Sequence, residues 1–209
     1  NASLSGLNPW RTYYFRAVAS NSGGTQKGAI NSFPTGEYYV AVGDSITFGS
    51  HDDISIDDTS LDGRNTGGGF EPILNNLLTA AKGYPHTVVN GGVSGDTSAD
   101  GAGRISSTLS NNPSAKYFLV LYGTNDADAS NGPGYPVPSG LGLNPGDAGY
   151  SGSYKANMQA IITAIKNAGK TPYLAKVPYA TAAGFSDASI QDYNLSIGEL
   201  RASNGITVT

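Results

Sequence analysis

The chain has 209 residues, a formal net charge of -4, 13% charged residues and no cysteine. So few cations leave no electrostatic footprint for nucleic acid, and without thiols neither a disulfide framework nor a thiolate metal centre is available. No apolar run approaches the roughly 18 residues of a membrane-spanning helix, so no membrane span is expected. The length, with 38% hydrophobic residues and 29 glycines, suits one α/β domain and a small appendage. Low charge with abundant Gly, Ser, Thr, Asn and Tyr suits a secreted protein, and a start at Asn1 rather than Met reads as a mature or trimmed product.

The appendage comes first. Thr12, Tyr14, Arg16 and Val18 alternate with Tyr13, Phe15, Ala17 and Ala19, which predicts a strand, and Asn21-Ser22-Gly23-Gly24 predicts a turn into a second one. Leu7, Pro9 and Tyr13, followed by Tyr14 to Val18, resemble the corner and closing strands of a fibronectin type III module. That likeness covers only the last third of such a module, and a plain β extension of the main domain is the other reading. The junction is placed at Pro34-Thr35-Gly36, giving a segment 1–36 and a domain 37–209.

Beyond it the pattern becomes α/β. Tyr38 to Val42, His86 to Val89, Tyr117 to Tyr122 and Pro172 to Val177 are short β-branched or aromatic runs that read as buried parallel strands. A helical stripe of Ile73, Leu74, Leu77, Leu78 and Ala81 starts near Pro72 and stops at Gly83. Another, of Met158, Ile161, Ile162 and Ile165, stops at Gly169. Ile105 with Leu109, and Ile190 with Tyr193, Ile197 and Leu200, predict two more helices, and Gly205 to Thr209 reads as a fifth strand. Strand and helix in alternation predict a doubly wound, flavodoxin-like parallel sheet whose ligands bind beyond the carboxyl ends of its strands.

Unusual residues follow three of those strands. They are Gly43-Asp44-Ser45, then Asn90 through Thr97 (NGGVSGDT), then Gly123-Thr124-Asn125-Asp126. Each alone is ordinary βα turn or N-cap chemistry, and an N-cap is the competing reading of Ser45. In this order the three resemble the blocks of the SGNH or GDSL serine hydrolases, over about Tyr38 to Thr209. The resemblance implies that Ser45 is the nucleophile and that its N–H, the Gly95 N–H and the Asn125 side-chain amide bind the oxyanion. A hydroxyl nucleophile needs an adjacent base and such donors as the acyl carbon becomes tetrahedral. Asp44 and Asp126 are expected to tie loops together by accepting backbone hydrogen bonds.

In that family the base and its orienting carboxylate come as Asp-x-x-His near the carboxyl end, a pattern that neither His51 nor His86 fits. His86 reads as a strand-end residue and His51 as a loop residue that would be the substitute base. A segment carrying Asp-x-x-His, separated by a cut or truncation and bound as a second polypeptide, is therefore expected. Asp58 to Gly63 opens like a calcium loop, but its twelfth position is Gly69 rather than Glu, so no cofactor is expected. The Pro- and Gly-rich run from Asn131 to Gly152 is expected to wall the cleft, with Tyr135 and Tyr150 read either as platforms for a sugar ring or as exposed loop tyrosines without function. The reading is a secreted serine esterase or lipase acting on acetylated carbohydrate or on short-chain lipid esters. A non-catalytic carbohydrate-binding module with the same fold is the alternative.

Overall fold

In the computed structural model, residues 4–8, 11–50, 68–180 and 184–206 are described. The appendage holds β1 (Thr12–Phe15), β2 (Val18–Asn21), β3 (Gly24–Lys27) and β4 (Asn31–Pro34). β1 pairs antiparallel with β4, and β2 with β3. The hairpin is as expected, but its outer limb is two strands rather than one, parted at Arg16 and Ala17. The Tyr13 hydroxyl accepts the Asn8 N–H at 2.9 Å.

The α/β part runs β5 (Tyr38–Gly43), α1 (Ser45–Phe48), α2 (Glu71–Lys82), β6 (Thr87–Gly92), α3 (Ser98–Asn111), β7 (Tyr117–Leu121), α4 (Tyr154–Asn167), β8 (Thr171–Leu174) and α5 (Asp187–Asn204). The sheet is parallel in the order β6-β5-β7-β8, so the chain starts centrally, steps one way, then crosses back. Right-handed crossovers then place α2 on one face and α3, α4 and α5 on the other. The second face carries the core, where Val40, Val42, Phe118 and Val120 meet Met158, Ile161, Ile162, Ile165, Ile190, Tyr193, Ile197 and Leu200. The predicted stripes of α4 and α5 are these buried residues.

Strand residues of the other parity face away from that core. Tyr39 stacks on Tyr117 at 4.7 Å between ring centroids, and Tyr117 meets Tyr173 at 5.7 Å. This aromatic row is only partly covered. On the same face α2 is turned differently from its predicted stripe, since Ile73 and Leu77 are 47% and 63% exposed whereas Glu71, Pro72 and Asn75 are buried. A polar partner explains the rotation. The Asn90 amide lies 3.4 Å from a Glu71 carboxylate oxygen and also donates to the carbonyls of Thr47 and Gly68 at 2.9 and 2.8 Å. Burying that network demands the polar side of the helix inward.

Three smaller differences concern strand ends. β6 begins one residue after His86, β7 stops at Leu121 and β8 at Leu174. Gly205, expected to open a fifth strand, instead caps α5 in the left-handed region at φ 63°, and residues 207–209 lie outside the described residues.

Gly101, on the buried side of α3, makes room for the sheet-end residue Tyr122. A Cβ there would sit 2.6 Å from the ring. Gly101→Ala gains about 1 kcal/mol of helix propensity but overpacks a buried site, which costs about 1–3 kcal/mol. A net loss of about 1 kcal/mol in urea unfolding is expected; a net gain would show that the Tyr122 ring moves aside freely.

Candidate active site

The register of the sheet brings the three predicted turns to one level. Gly43 pairs with Gly92 on one side and with Leu121 on the other, so the segments carrying Ser45, Gly95 and Asn125 all leave the carboxyl edge side by side. Ser45 is the first residue of α1, and the N-cap is Asp44, whose carboxylate accepts the Ile46 N–H at 2.9 Å. Capping is therefore the work of Asp44. Ser45 is half-buried, and among the described residues its hydroxyl makes no hydrogen bond.

After β6 the chain turns through Val93 to Thr97. Gly95 has φ +89°, where a side chain would be strained, and no atom lies within 4 Å of the place a Cβ would take. Glycine is needed here for its backbone conformation, in addition to the open approach expected from the sequence. The turn is tied to the end of β5 by the Val93 N–H, which donates to the Gly43 carbonyl at 2.9 Å, and to the residues after α1 by the Ser50 and Ser94 hydroxyls, 2.9 Å apart.

After β7 a 3-10 turn, Asn125–Ala127, carries the third element. The Asn125 amide nitrogen donates to the Asp96 carbonyl at 2.8 Å. Among the described residues its second N–H takes no partner. The next residue anchors the turn: Asp126 accepts the Ser98 N–H at 2.9 Å and the Ser98 hydroxyl at the N-terminus of α3, where the helix dipole favours a carboxylate. The Tyr193 hydroxyl donates to its carbonyl at 3.0 Å. The tying role read for Asp44 and Asp126 is what these bonds perform.

His86 lies before the amino end of β6, at the opposite end of the sheet. Its Nδ1 accepts the Glu37 N–H at 3.2 Å, its ring stacks on Tyr84, and burial holds its pKa below the usual range. His51 and the Asp58 to Asp62 loop lie outside the described residues. Among the described residues no three His, Asp or Glu side chains gather as metal ligands would. The loop after Asn131 divides in two. The Asn131 amide holds the Asn125 carbonyl at 2.9 Å, whereas Tyr150, with Asn144 and Pro145, lines a hollow of about 600 Å³ against α4 and α5. Arg104, not singled out from the sequence, also joins the site, bonded to Asp96 and Tyr122.

The chain matches the GDSL-like lipase/acylhydrolase family over residues 41–209 and belongs to it. Among solved structures it is similar to a lipase/acylhydrolase from Enterococcus faecalis, at 20% identity and TM-score 0.58, covering 82% of this chain and 74% of that one. It is also similar to AlinE4, described as an SGNH-hydrolase family esterase (20%, TM-score 0.55, 83% and 75%). A variant of an acetyl xylan esterase from Geobacillus stearothermophilus is a third (20%, TM-score 0.56, 81% and 74%). Identities this low speak to the shared fold. No curated protein matches the chain.

Two carboxyls lie buried beneath the site. Burial, with the charge of Asp126, pushes the Asp44 pKa up to about 6 against the pull of the Ile46 N–H. Burial likewise raises that of Asp126, opposed by the Ser98 donors. The folded protein therefore holds the Asp44 proton more tightly than the unfolded chain does, and this group's contribution is lost as pH rises from about 4 through about 6. Measured by urea unfolding, the stability of Asp44→Asn relative to wild type is expected to rise by about 2 kcal/mol between pH 4 and pH 7. A difference that stays constant with pH would show that Asp44 is not perturbed.

Proposed function

We propose that this chain carries the nucleophile and oxyanion hole of a secreted carboxylic ester hydrolase. In this reading Ser45 attacks the ester carbonyl, the alcohol departs, and water hydrolyses the acyl-enzyme, with no cofactor taking part. The developing oxyanion is met by the Ser45 and Gly95 N–H groups and by the second N–H of Asn125. The observation that carries the reading is the Asn125 amide, held on the Asp96 carbonyl at 2.8 Å with one donor to spare, on a turn that leaves the strand paired with the one before Ser45, whose hydroxyl has no described partner.

The general base belongs, in this proposal, to an Asp-x-x-His segment on a separate polypeptide piece. His86 stands at the wrong end of the sheet, and the part-covered Tyr39-Tyr117-Tyr173 row is a face that such a piece would cover. Ile46, Phe48 and Val93 present exposed apolar surface close to Ser45 and Gly95 in the chain, which would receive the apolar part of an acyl group. Acetyl groups on carbohydrate are the substrate class we favour, in keeping with the likeness to an acetyl xylan esterase and with a fibronectin-like segment whose Tyr13 reaches back to Asn8.

In the natural protein with its companion piece, an organophosphate should label Ser45 and no other serine. Residues 1–209 purified alone should hydrolyse an activated short-chain ester slower by about 10⁴-fold or more, the usual cost of losing a triad member. Labelling that survives Ser45→Ala overturns the nucleophile. Full turnover by the isolated chain places the base within it, with His51 the first candidate. An inert natural protein supports the carbohydrate-binding alternative.

A further inference from the structure

Arg104, on the second turn of α3, touches all three chain segments of the proposed site. Its Nε donates to an Asp96 carboxylate oxygen at 2.5 Å. Its Nη2 donates to the Gly43 carbonyl at 3.0 Å and to the Tyr122 hydroxyl at 2.6 Å. Gly43 ends the nucleophile strand two residues before Ser45, Asp96 follows Gly95, and Tyr122 follows β7 on the way to Asn125. The contact is well shielded, with the Arg104 and Asp96 side chains 24% and 14% exposed.

We propose that Arg104 is the positioning residue of the oxyanion hole, fixing Asp96 directly after Gly95 and, through the Asp96 carbonyl, the Asn125 amide relative to Ser45. The turn at Gly95 has little packing of its own, because the glycine has no side chain and sits at positive φ facing open space. The turn's own backbone bond, from the Asp96 N–H to the Val93 carbonyl at 3.2 Å, leaves the Asp96 side chain and carbonyl to be held from outside it. The carboxylate of Asp96 is held by Arg104 while its carbonyl is held by Asn125, so one residue is gripped from both sides. The same guanidinium grips the Gly43 carbonyl, which also takes the Val93 N–H from the start of that turn. A planar fork of donors suits several acceptors held at once, and charge-assisted bonds are the stronger kind. Lysine, a point charge on a flexible stem, reproduces one contact at a time.

This inference rests on Gly95 and Asn125 being the oxyanion donors, so its test has a readout independent of turnover. In the natural protein, Arg104→Lys is expected to shift the Gly95 backbone amide and Asn125 side-chain amide resonances in ¹⁵N-edited NMR spectra. Resonances that stay in place overturn the proposal. If they shift but the wild type hydrolyses no ester, the clamp stands and the proposed function falls.

Kinetics then separate positioning from a merely structural role. Arg104→Lys should lower kcat about 10- to 100-fold with KM nearly unchanged, the scale of a small displacement of catalytic groups. Asn125→Ala alone should cost about 10²- to 10³-fold. Because Arg104 acts largely through Asn125, the double variant should be little slower than Asn125→Ala. Fully multiplicative losses overturn the proposal. Should Arg104→Lys not fold, Asp96→Asn weakens the same grip and leaves the Gly43 and Tyr122 contacts in place. The same NMR shifts and the same non-additivity, in smaller measure, are expected of it, and their absence counts against the clamp.

Discussion

Gly43 stands in register between Gly92 and Leu121, and everything at the carboxyl edge follows from that alignment. Three parallel strands ending together release three turns into one small region. Each turn then needs only a short local device to aim its group: a one-turn helix capped by Asp44, a glycine at positive φ, and a 3-10 turn pinned through Asp126. A slip of one residue in either pairing would turn that strand's side chains to the other face and separate the turns. The large apolar residues under α3, α4 and α5 guard against such a slip, because Val40, Val42, Phe118 and Val120 fit the core only in this register.

The site sits above a layer of buried polar groups, which is costly unless each is bonded. Asp126 answers the cost with two donors from Ser98 at a helix N-terminus, and Asp44 with the Ile46 N–H. Both carboxyls are nevertheless pushed toward protonation. This is the pattern of stability spent on local precision: the carboxylates hold turns in shapes that an all-apolar edge would not specify. The opposite face of the sheet combines the buried Asn90–Glu71 contact under α2 with a tyrosine row that is only partly covered.

How much was legible in the sequence varied with how local the determining contacts are. The stripes of α4 and α5 were readable because apolar residues at helical spacing are buried whatever their exact neighbours. The three turns were readable because glycine, aspartate and asparagine occur where β-propensity ends. The face of α2 was not, because its buried side is chosen by Asn90, 19 residues beyond Glu71. Arg104 was invisible for the same reason, with partners 8, 18 and 61 residues away that only the folded sheet brings together. The break in the outer limb of the hairpin was hidden by an alternation that runs unbroken through Arg16 and Ala17.

The proposed oxyanion hole is defined by where a negative oxygen settles once Ser45 carries an adduct. A crystal structure of the natural protein carrying a phosphonate on Ser45 measures this directly. We expect one phosphonyl oxygen at about 2.7–3.1 Å from the Ser45 nitrogen, the Gly95 nitrogen and the Asn125 Nδ2 together, with Asn125 still bonded to Asp96. A phosphonyl oxygen turned to solvent or to other donors, or an adduct on a different residue, would contradict it.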